Sequence, residues 1–201
     1  MESYELDYIK QGYKLIAGID EVGRGPLFGD VVACAVIMPT DRRIEGVKDS
    51  KKLSEKKREA FYDEILHTAF AVGIGRVSAK VIDEINIKNA THLAMEKAVL
   101  NLTNDQGMKI VPDLLLIDAE KIHTDIEQVA IIKGDASCYS IACASIVAKV
   151  YRDSMCKKWA ELYPDYGIEK HKGYGTEAHR KAIKEYGPTP MHRMTFLKNI
   201  L

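Results

Sequence analysis

The sequence predicts an α/β protein built on a mixed five-stranded sheet with helices on both faces. Two observations carry this. Strand-like segments come three together, then a helical pattern, then two more strands and a long helix, an order that suits an antiparallel meander extended by crossover strands. The run from Val31 to Met38 is continuously apolar and rich in Val and Ile, as befits a central strand buried on both faces.

Each element has its own signal. Tyr13 to Asp20 reads as a strand ending at a glycine-rich loop, Gly23-Arg24-Gly25-Pro26, with Gly29 just beyond. Val31 to Met38 is closed by Pro39. Ser54 can cap a helix on which Phe61 and Ile65 share a face. Phe70, Val72 and Ile74 alternate with smaller residues, the period of a third strand. Thr91, Met95, Ala98, Val99 and Leu102 fall at helical spacing, and Asn104-Asp105-Gln106-Gly107 ends that helix. Leu114 to Asp118 and Val129 to Ile132 are short apolar strands. From about Ser137 the pattern is helical, small and apolar nearly all round to Val150, then amphipathic through Met155, Trp159 and Leu162. A last helix near Glu177 to Tyr186 precedes a short tail.

A length of 201 residues without repeats, low-complexity tracts or a Pro/Gly-rich linker suits a single domain. The 29 basic and 29 acidic side chains cancel, which argues against non-specific coating of nucleic acid but leaves room for a local basic face. Lys48, Lys51, Lys52, Lys56, Lys57 and Arg58 form such a cluster, although alone it reads equally as a solvated helix start. The apolar run of eight residues at Val31 is far short of the roughly 20 that a membrane span needs. Met1 to Glu5 carries neither the basic region nor the apolar core of a signal peptide, so the expected location is the cytoplasm. Cys34, Cys138, Cys143 and Cys156 form no CxxC pair and are expected to be reduced, mostly buried thiols rather than zinc ligands.

Four acidic residues stand where strands stop: Asp20, Glu21, Asp118 and Asp135. Carboxylates converging on one sheet edge would repel one another and so imply a cation, and hard oxygen ligands favour Mg²⁺ or Mn²⁺. Such ions can activate water and stabilise the leaving oxygen of a phosphodiester. Neighbours on a regular strand point to opposite faces, so Asp20 and Glu21 can share a site only if the pleat breaks there. Singly, Asp135 reads equally as a helix cap, Asp118 as a turn residue, and Asp20 and Glu21 as strand-end solvation. Position alone does not choose. Gly23, Arg24 and Gly25 offer main-chain N–H groups and a guanidinium suited to phosphate or sugar hydroxyls, or a tight hairpin. Tyr174, between Gly173 and Gly175, suits stacking on a sugar or base, or packing on a neighbouring helix.

Seven segments together resemble ribonuclease HII. They are Gly18-Ile19-Asp20-Glu21-Val22-Gly23-Arg24-Gly25-Pro26, Asp49-Ser50-Lys51-Lys52-Leu53-Ser54, Asn86-Ile87 with Ala90-Thr91, Lys133-Gly134-Asp135, Ala144 to Asp153, His171-Lys172-Gly173-Tyr174 and His192-Arg193-Met194-Thr195-Phe196. They run in the family's order and cover nearly the whole chain. The resemblance implies a ribonuclease H-like fold, with residues from about 165 to 201 as a C-terminal helical appendage. It implies metal-binding, catalytic carboxylates at Asp20, Glu21, Asp118 and Asp135. It implies 2′-hydroxyl reading by Gly23, Arg24 and Gly25, stacking by Tyr174 and phosphate contact by Lys51. Asp153, beside Arg152, is not one of the four.

Two positions depart from the family pattern: Asp30 stands where many members have proline, and Ala119 where many have glycine. The short tail after Phe196 leaves no long extension for clamp docking, and the extra N-terminal domain of the ribonuclease HIII relatives is not seen. The implied activity is a monomeric Mg²⁺- or Mn²⁺-dependent endonuclease acting on RNA–DNA hybrids and on ribonucleotide-containing duplex DNA, with no membrane partner. A resolvase or integrase on the same fold would act on all-DNA structures instead, and a non-catalytic hybrid binder would lose affinity rather than turnover when its carboxylates are removed.

Overall fold

A computed structural model of the chain describes residues 4–47 and 50–201, with the main chain alone at Lys51. A short helix, α1 (Tyr4–Lys10), leads into β1 (Ile16–Val22) and β2 (Val31–Ile37). Then come α2 (Glu55–Thr68), β3 (Ala71–Val77), α3 (Ala79–Leu100), β4 (Leu114–Asp118) and β5 (Glu127–Ile131). The short α4 (Gly134–Ser137) precedes the long α5 (Tyr139–Leu162), and α6 (Ile168–His171) and α7 (Glu177–Tyr186) follow. The strands form one sheet in the order β3-β2-β1-β4-β5. β1, β2 and β3 pair antiparallel, while β4 pairs parallel to both β1 and β5. This is the expected meander with crossover strands. Among the described residues no helix is long and apolar enough to cross a membrane.

β2 is buried at every position, as its unbroken apolar run requires. One sheet face, through Ala17, Ile19, Ala33, Ala35, Leu115 and Ile117, packs on Ala90, Ala94, Met95 and Ala98 of α3. On the other, Cys34 and Val36 meet Ile65 of α2 and Cys143, Ile146 and Val147 of α5. Ser54 accepts the Lys57 N–H at 3.3 Å and so caps α2. All four cysteines are free and buried.

Three local features add to the expected elements. In β3 the small residues, not Val72 and Ile74, take the more buried face: Ala71, Gly73, Gly75 and Val77 are buried and Phe70 is exposed outside the strand. A Cβ at Gly73 or Gly75 would overlap the main chain of α3 at Ala98 or Ala94, so the absent side chains let helix and sheet backbones touch. The helix through Thr91 begins at Ala79, capped by Ser78, and bends at Asn86, whose φ of 66° is left-handed and whose Oδ1 accepts the Asn89 N–H at 3.1 Å. α1 was not foreseen. Its Glu5 accepts the Ser140 N–H at 2.8 Å at the start of α5, while Tyr8 and Ile9 pack beside Ile141.

From Pro164 onward, short helices gather around Phe28, whose ring meets Trp159, Tyr163, His179 and His192 edge-on at centroid distances of 4.9–6.4 Å. The C-terminal segment is thereby tied to the loop between β1 and β2.

Candidate active site

Strand alternation decides which carboxylates meet. On β1, Ile16 packs on Ile141 of α5 and a Cβ at Gly18 would overlap Ser140, so this side, and Asp20 next along it, faces α5. Ala17 and Ile19 face α3, and Glu21 follows them. On β4, Leu114 and Leu116 share the α5 face, which places Asp118 there too. β1 and β4 run parallel with Ile19 opposite Ile117, so Asp20 and Asp118 lie side by side at their C-terminal ends, where ligands of open α/β sheets bind. The Gly134 N–H donates to Asp118 Oδ1 at 2.7 Å, docking the start of α4 and with it Asp135. Asp20, Asp118 and Asp135 each offer a carboxylate oxygen within 4.8 Å of the others.

Glu21 does not join that group. β1 stays regular through Val22, with Glu21 opposite Ala33 and Val22 opposite Val32, so the expected end at Asp20 is overtaken by two residues and the pleat does not break. Glu21 lines the same cleft from the α3 side, 3.5 Å from the Arg24 guanidinium. Burial raises the Glu21 carboxyl above its ordinary pKa and the Asp118 charge adds to this, against the opposing pull of Arg24. For Asp20 the rise is larger: it is buried, and Glu21 and Asp118 lie close. The Ser145 hydroxyl and the Glu21 N–H, the latter at 2.8 Å, partly offset it. Ser145 lies 2.9 Å from Ser50 Oγ.

The loop after β1 brings Gly23, Arg24 and Gly25 to the cleft wall. Arg24 Nη1 donates to Glu120 Oε1 at 2.9 Å, and Glu120 Oε2 lies 2.9 Å from His92 Nε2 on α3. Although burial raises it, His92 and Arg24 hold the Glu120 carboxyl below its usual value. Between Asp118 and Glu120, Ala119 takes a left-handed φ of 52° and its N–H donates to Ile131 O at 3.0 Å, a backbone shape that glycine adopts freely. Asp30 Oδ2 accepts from Arg76 Nε and Nη2 at 3.0 and 2.8 Å, which supplies a role for the carboxylate at that departing position.

Tyr174 is 45% exposed and closes the cleft beside Gly25, where a Cβ would stand 3.4 Å from its ring. Lys149 also lines the cleft and pairs with Asp153 at 2.8 Å, which gives Asp153 a partner outside the carboxylate group. Of the basic cluster, Lys48, Asp49 beside it and the Lys51 side chain lie outside the described residues. Arg58 lines the cleft while donating to the carbonyls of Ser50 and Leu53 at 3.1 and 2.5 Å. Sequence reasoning did not single out Glu120, His92, Ser50, Ser145 and Lys149 as parts of this site, whereas Arg58 belongs to the basic cluster it named. Glu120 lies two positions past Asp118, and Ser50, Ser145 and Lys149 stand in segments that carry the family resemblance; His92 carried no signal.

The three-carboxylate group suits a hard divalent cation. Its donors are oxygens alone, they are close enough to repel, and burial has raised Asp20 in a way that a cation would reverse.

The family model described as ribonuclease HII matches residues 17–199 of the chain. A ribonuclease HII from Alkaliphilus oremlandii is 60% identical over 190 residues, covering 94% of each chain. One from Bacillus subtilis is 55% identical over 196 residues, covering 98% of this chain and 74% of the relative. Among solved structures, the ribonuclease H2 from Pyrococcus horikoshii superposes with a TM-score of 0.75 at 26% identity, covering 93% of this chain and 97% of that one.

Proposed function

The chain belongs to the ribonuclease HII family, endoribonucleases that cleave the RNA strand of RNA–DNA hybrids, and we propose that it also cuts duplex DNA on the 5′ side of single embedded ribonucleotides. The observation that carries this reading is a cleft lined by Asp20, Asp118, the Gly23–Gly25 loop and Tyr174, with the Asp135 carboxylate converging on the first two. The products are a 3′-hydroxyl and a 5′-phosphate: water gives up a proton as its oxygen bonds to phosphorus, the bond from phosphorus to the 3′-oxygen of the preceding nucleotide breaks, and that oxygen takes up a proton.

Asp20, Asp118 and Asp135 would hold Mg²⁺ or Mn²⁺, with Glu21 contributing from the opposite side of the cleft. A divalent cation in such a carboxylate site supplies Lewis acidity toward water and the phosphoryl oxygens. The chain's own groups prepare the rest. Ser145 and the Glu21 N–H fix Asp20, and the Gly134 N–H fixes Asp118. Glu21 and Glu120 keep Arg24 at the cleft wall, where its guanidinium suits a substrate phosphate or hydroxyl. The N–H groups of the Gly23–Gly25 loop read the 2′-hydroxyl that separates RNA from DNA. The Tyr174 ring stacks on the deoxyribose of the following nucleotide, and Lys51 contacts the backbone phosphates. The enzyme works as a cytoplasmic monomer, a state that sedimentation with and without substrate would test.

Asp118→Asn tests the site. It should abolish cleavage of an RNA–DNA hybrid with the circular dichroism spectrum unchanged. A folded variant with full activity would remove the carboxylate group from the reaction, and one with normal hybrid affinity but no turnover would exclude a mere hybrid-binding role.

A further inference from the structure

Two arginines at most 1% exposed, Arg152 and Arg193, lie beneath the loop between β1 and β2. Burying a guanidinium is costly unless its donors are satisfied. Here they end on main-chain carbonyls. Arg193 donates through Nε to Gly29 O at 2.9 Å, through Nη1 to Arg24 O at 3.0 Å and through Nη2 to Gly23 O at 2.7 Å. Arg152 donates through Nε to Asp30 O at 3.0 Å, through Nη2 to Phe28 O at 3.1 Å and through Nη1 to Lys172 O at 3.0 Å. Five of these six carbonyls belong to the stretch Gly23 to Asp30, and the sixth to the loop that carries Tyr174. At Gly23, where φ is +90°, a Cβ would overlap the Arg152 guanidinium, so glycine lets the loop lie directly on it.

The consequence follows from the planarity of the trans peptide, which sets C=O and N–H on opposite sides. With the Gly23 and Arg24 carbonyls held on Arg193, the N–H groups of Arg24 and Gly25 must point the other way, and both residues line the cleft. A carbonyl bonded to a cation also polarises its peptide, which makes the N–H a better donor.

We infer that Arg193, backed by Arg152, is a positioning residue that aims and polarises the Arg24 and Gly25 amides toward the 2′-hydroxyl of the ribonucleotide. This rests on the reading of the Gly23–Gly25 loop proposed above. The Lys172 bond extends the device: Arg152 fixes the Tyr174 loop relative to the reading loop, so stacking and hydroxyl recognition keep a common register.

The test uses the full chain with Arg193→Lys, which keeps the positive charge but cannot spread its donors across three separate carbonyls. In an Asp118→Asn background that blocks cleavage, affinity is measured by fluorescence anisotropy for a DNA duplex with one ribonucleotide and for its all-DNA counterpart. The expected result is that Arg193→Lys lowers the preference for the ribonucleotide duplex by about tenfold, with little change in all-DNA affinity. Arg193→Lys alone should lose a similar factor in kcat/KM at the ribonucleotide. A purely structural role would weaken both duplexes equally, and that result, or an unchanged preference, would overturn the inference.

Should Arg193→Lys fail to fold, amide NMR on the Asp118→Asn chain decides. The Arg24 and Gly25 N–H resonances should shift with the ribonucleotide duplex and not with all-DNA, and identical responses would overturn the inference. Failure of the unsubstituted enzyme to cut at the ribonucleotide would defeat the underlying reading instead.

Discussion

Asp20 is buried with Glu21 and Asp118 close by, and its carboxyl titrates well above the ordinary range. An acid with a higher pKa in the folded than in the unfolded state holds its proton more tightly when folded. Its contribution to stability is therefore fully present below the unfolded value, near pH 4, and is lost as pH rises through the folded value. In the presence of a chelator, Asp20→Asn should melt at a higher temperature than the unsubstituted protein at about pH 8, and the gap should close on acidification toward about pH 4. Mg²⁺ should then raise the melting temperature of the unsubstituted protein more than that of the variant. Melting curves that coincide at every pH would contradict the account of Asp20. At the rim, Tyr174→Ala should slow cleavage at single ribonucleotides by roughly tenfold and affect long hybrids less, as expected if one ring stacks on one sugar. Equal losses on both substrates would remove the stacking role. The sequence made the identity of these residues legible and, through the resemblance, the grouping of Asp20, Asp118 and Asp135, but not the separate placing of Glu21. Glu21 is separated from its neighbour by strand alternation that runs two residues further than the composition suggested. His92 reaches Glu120 across 28 positions, with nothing local to announce it.

The elements were legible wherever burial is written in side chains. The Val31–Ile37 strand, the Ser54 cap and the helix from Tyr139 all follow from an apolar run, a hydroxyl cap and small-residue spacing. They were illegible where packing is written in the absence of side chains. Gly73 and Gly75 give no sign that their side of β3 meets α3, because a glycine in close backbone contact carries no hydrophobic signal. Gly75→Ala should consequently cost about 1–3 kcal/mol by pushing β3 from the main chain of α3 at Ala94, measured by urea unfolding. A variant as stable as the parent would show that helix and strand separate without penalty. The bend in α3 is a second such case: Asn86 replaces a helical bond with its own side chain, a choice that helix periodicity does not record.

Across the whole molecule, the sheet order places the C-terminal ends of β1 and β4 together, and the crossover through α3 and the turn into α4 deliver the remaining groups. The chain carries no net charge, so attraction to a polyanionic duplex must come from local basic side chains at the cleft, such as Arg24, Arg58 and Lys149. Under subsaturating substrate, cleavage should fall steeply between about 50 and 200 mM salt, linearly on logarithmic axes, as contacts to phosphates are screened. A rate indifferent to salt would mean that these side chains do not meet the backbone.

The central claim is that one cleft joins a carboxylate metal site to a reader of the 2′-hydroxyl. It is tested most directly by incubating the enzyme, with Mg²⁺ and separately with Mn²⁺, with an end-labelled DNA duplex carrying one ribonucleotide, and mapping the products. A single cut on the 5′ side of the ribonucleotide, absent from the all-DNA duplex and absent with Asp118→Asn, is the predicted result. No cut with either metal despite binding, or cutting of the all-DNA duplex, would contradict it.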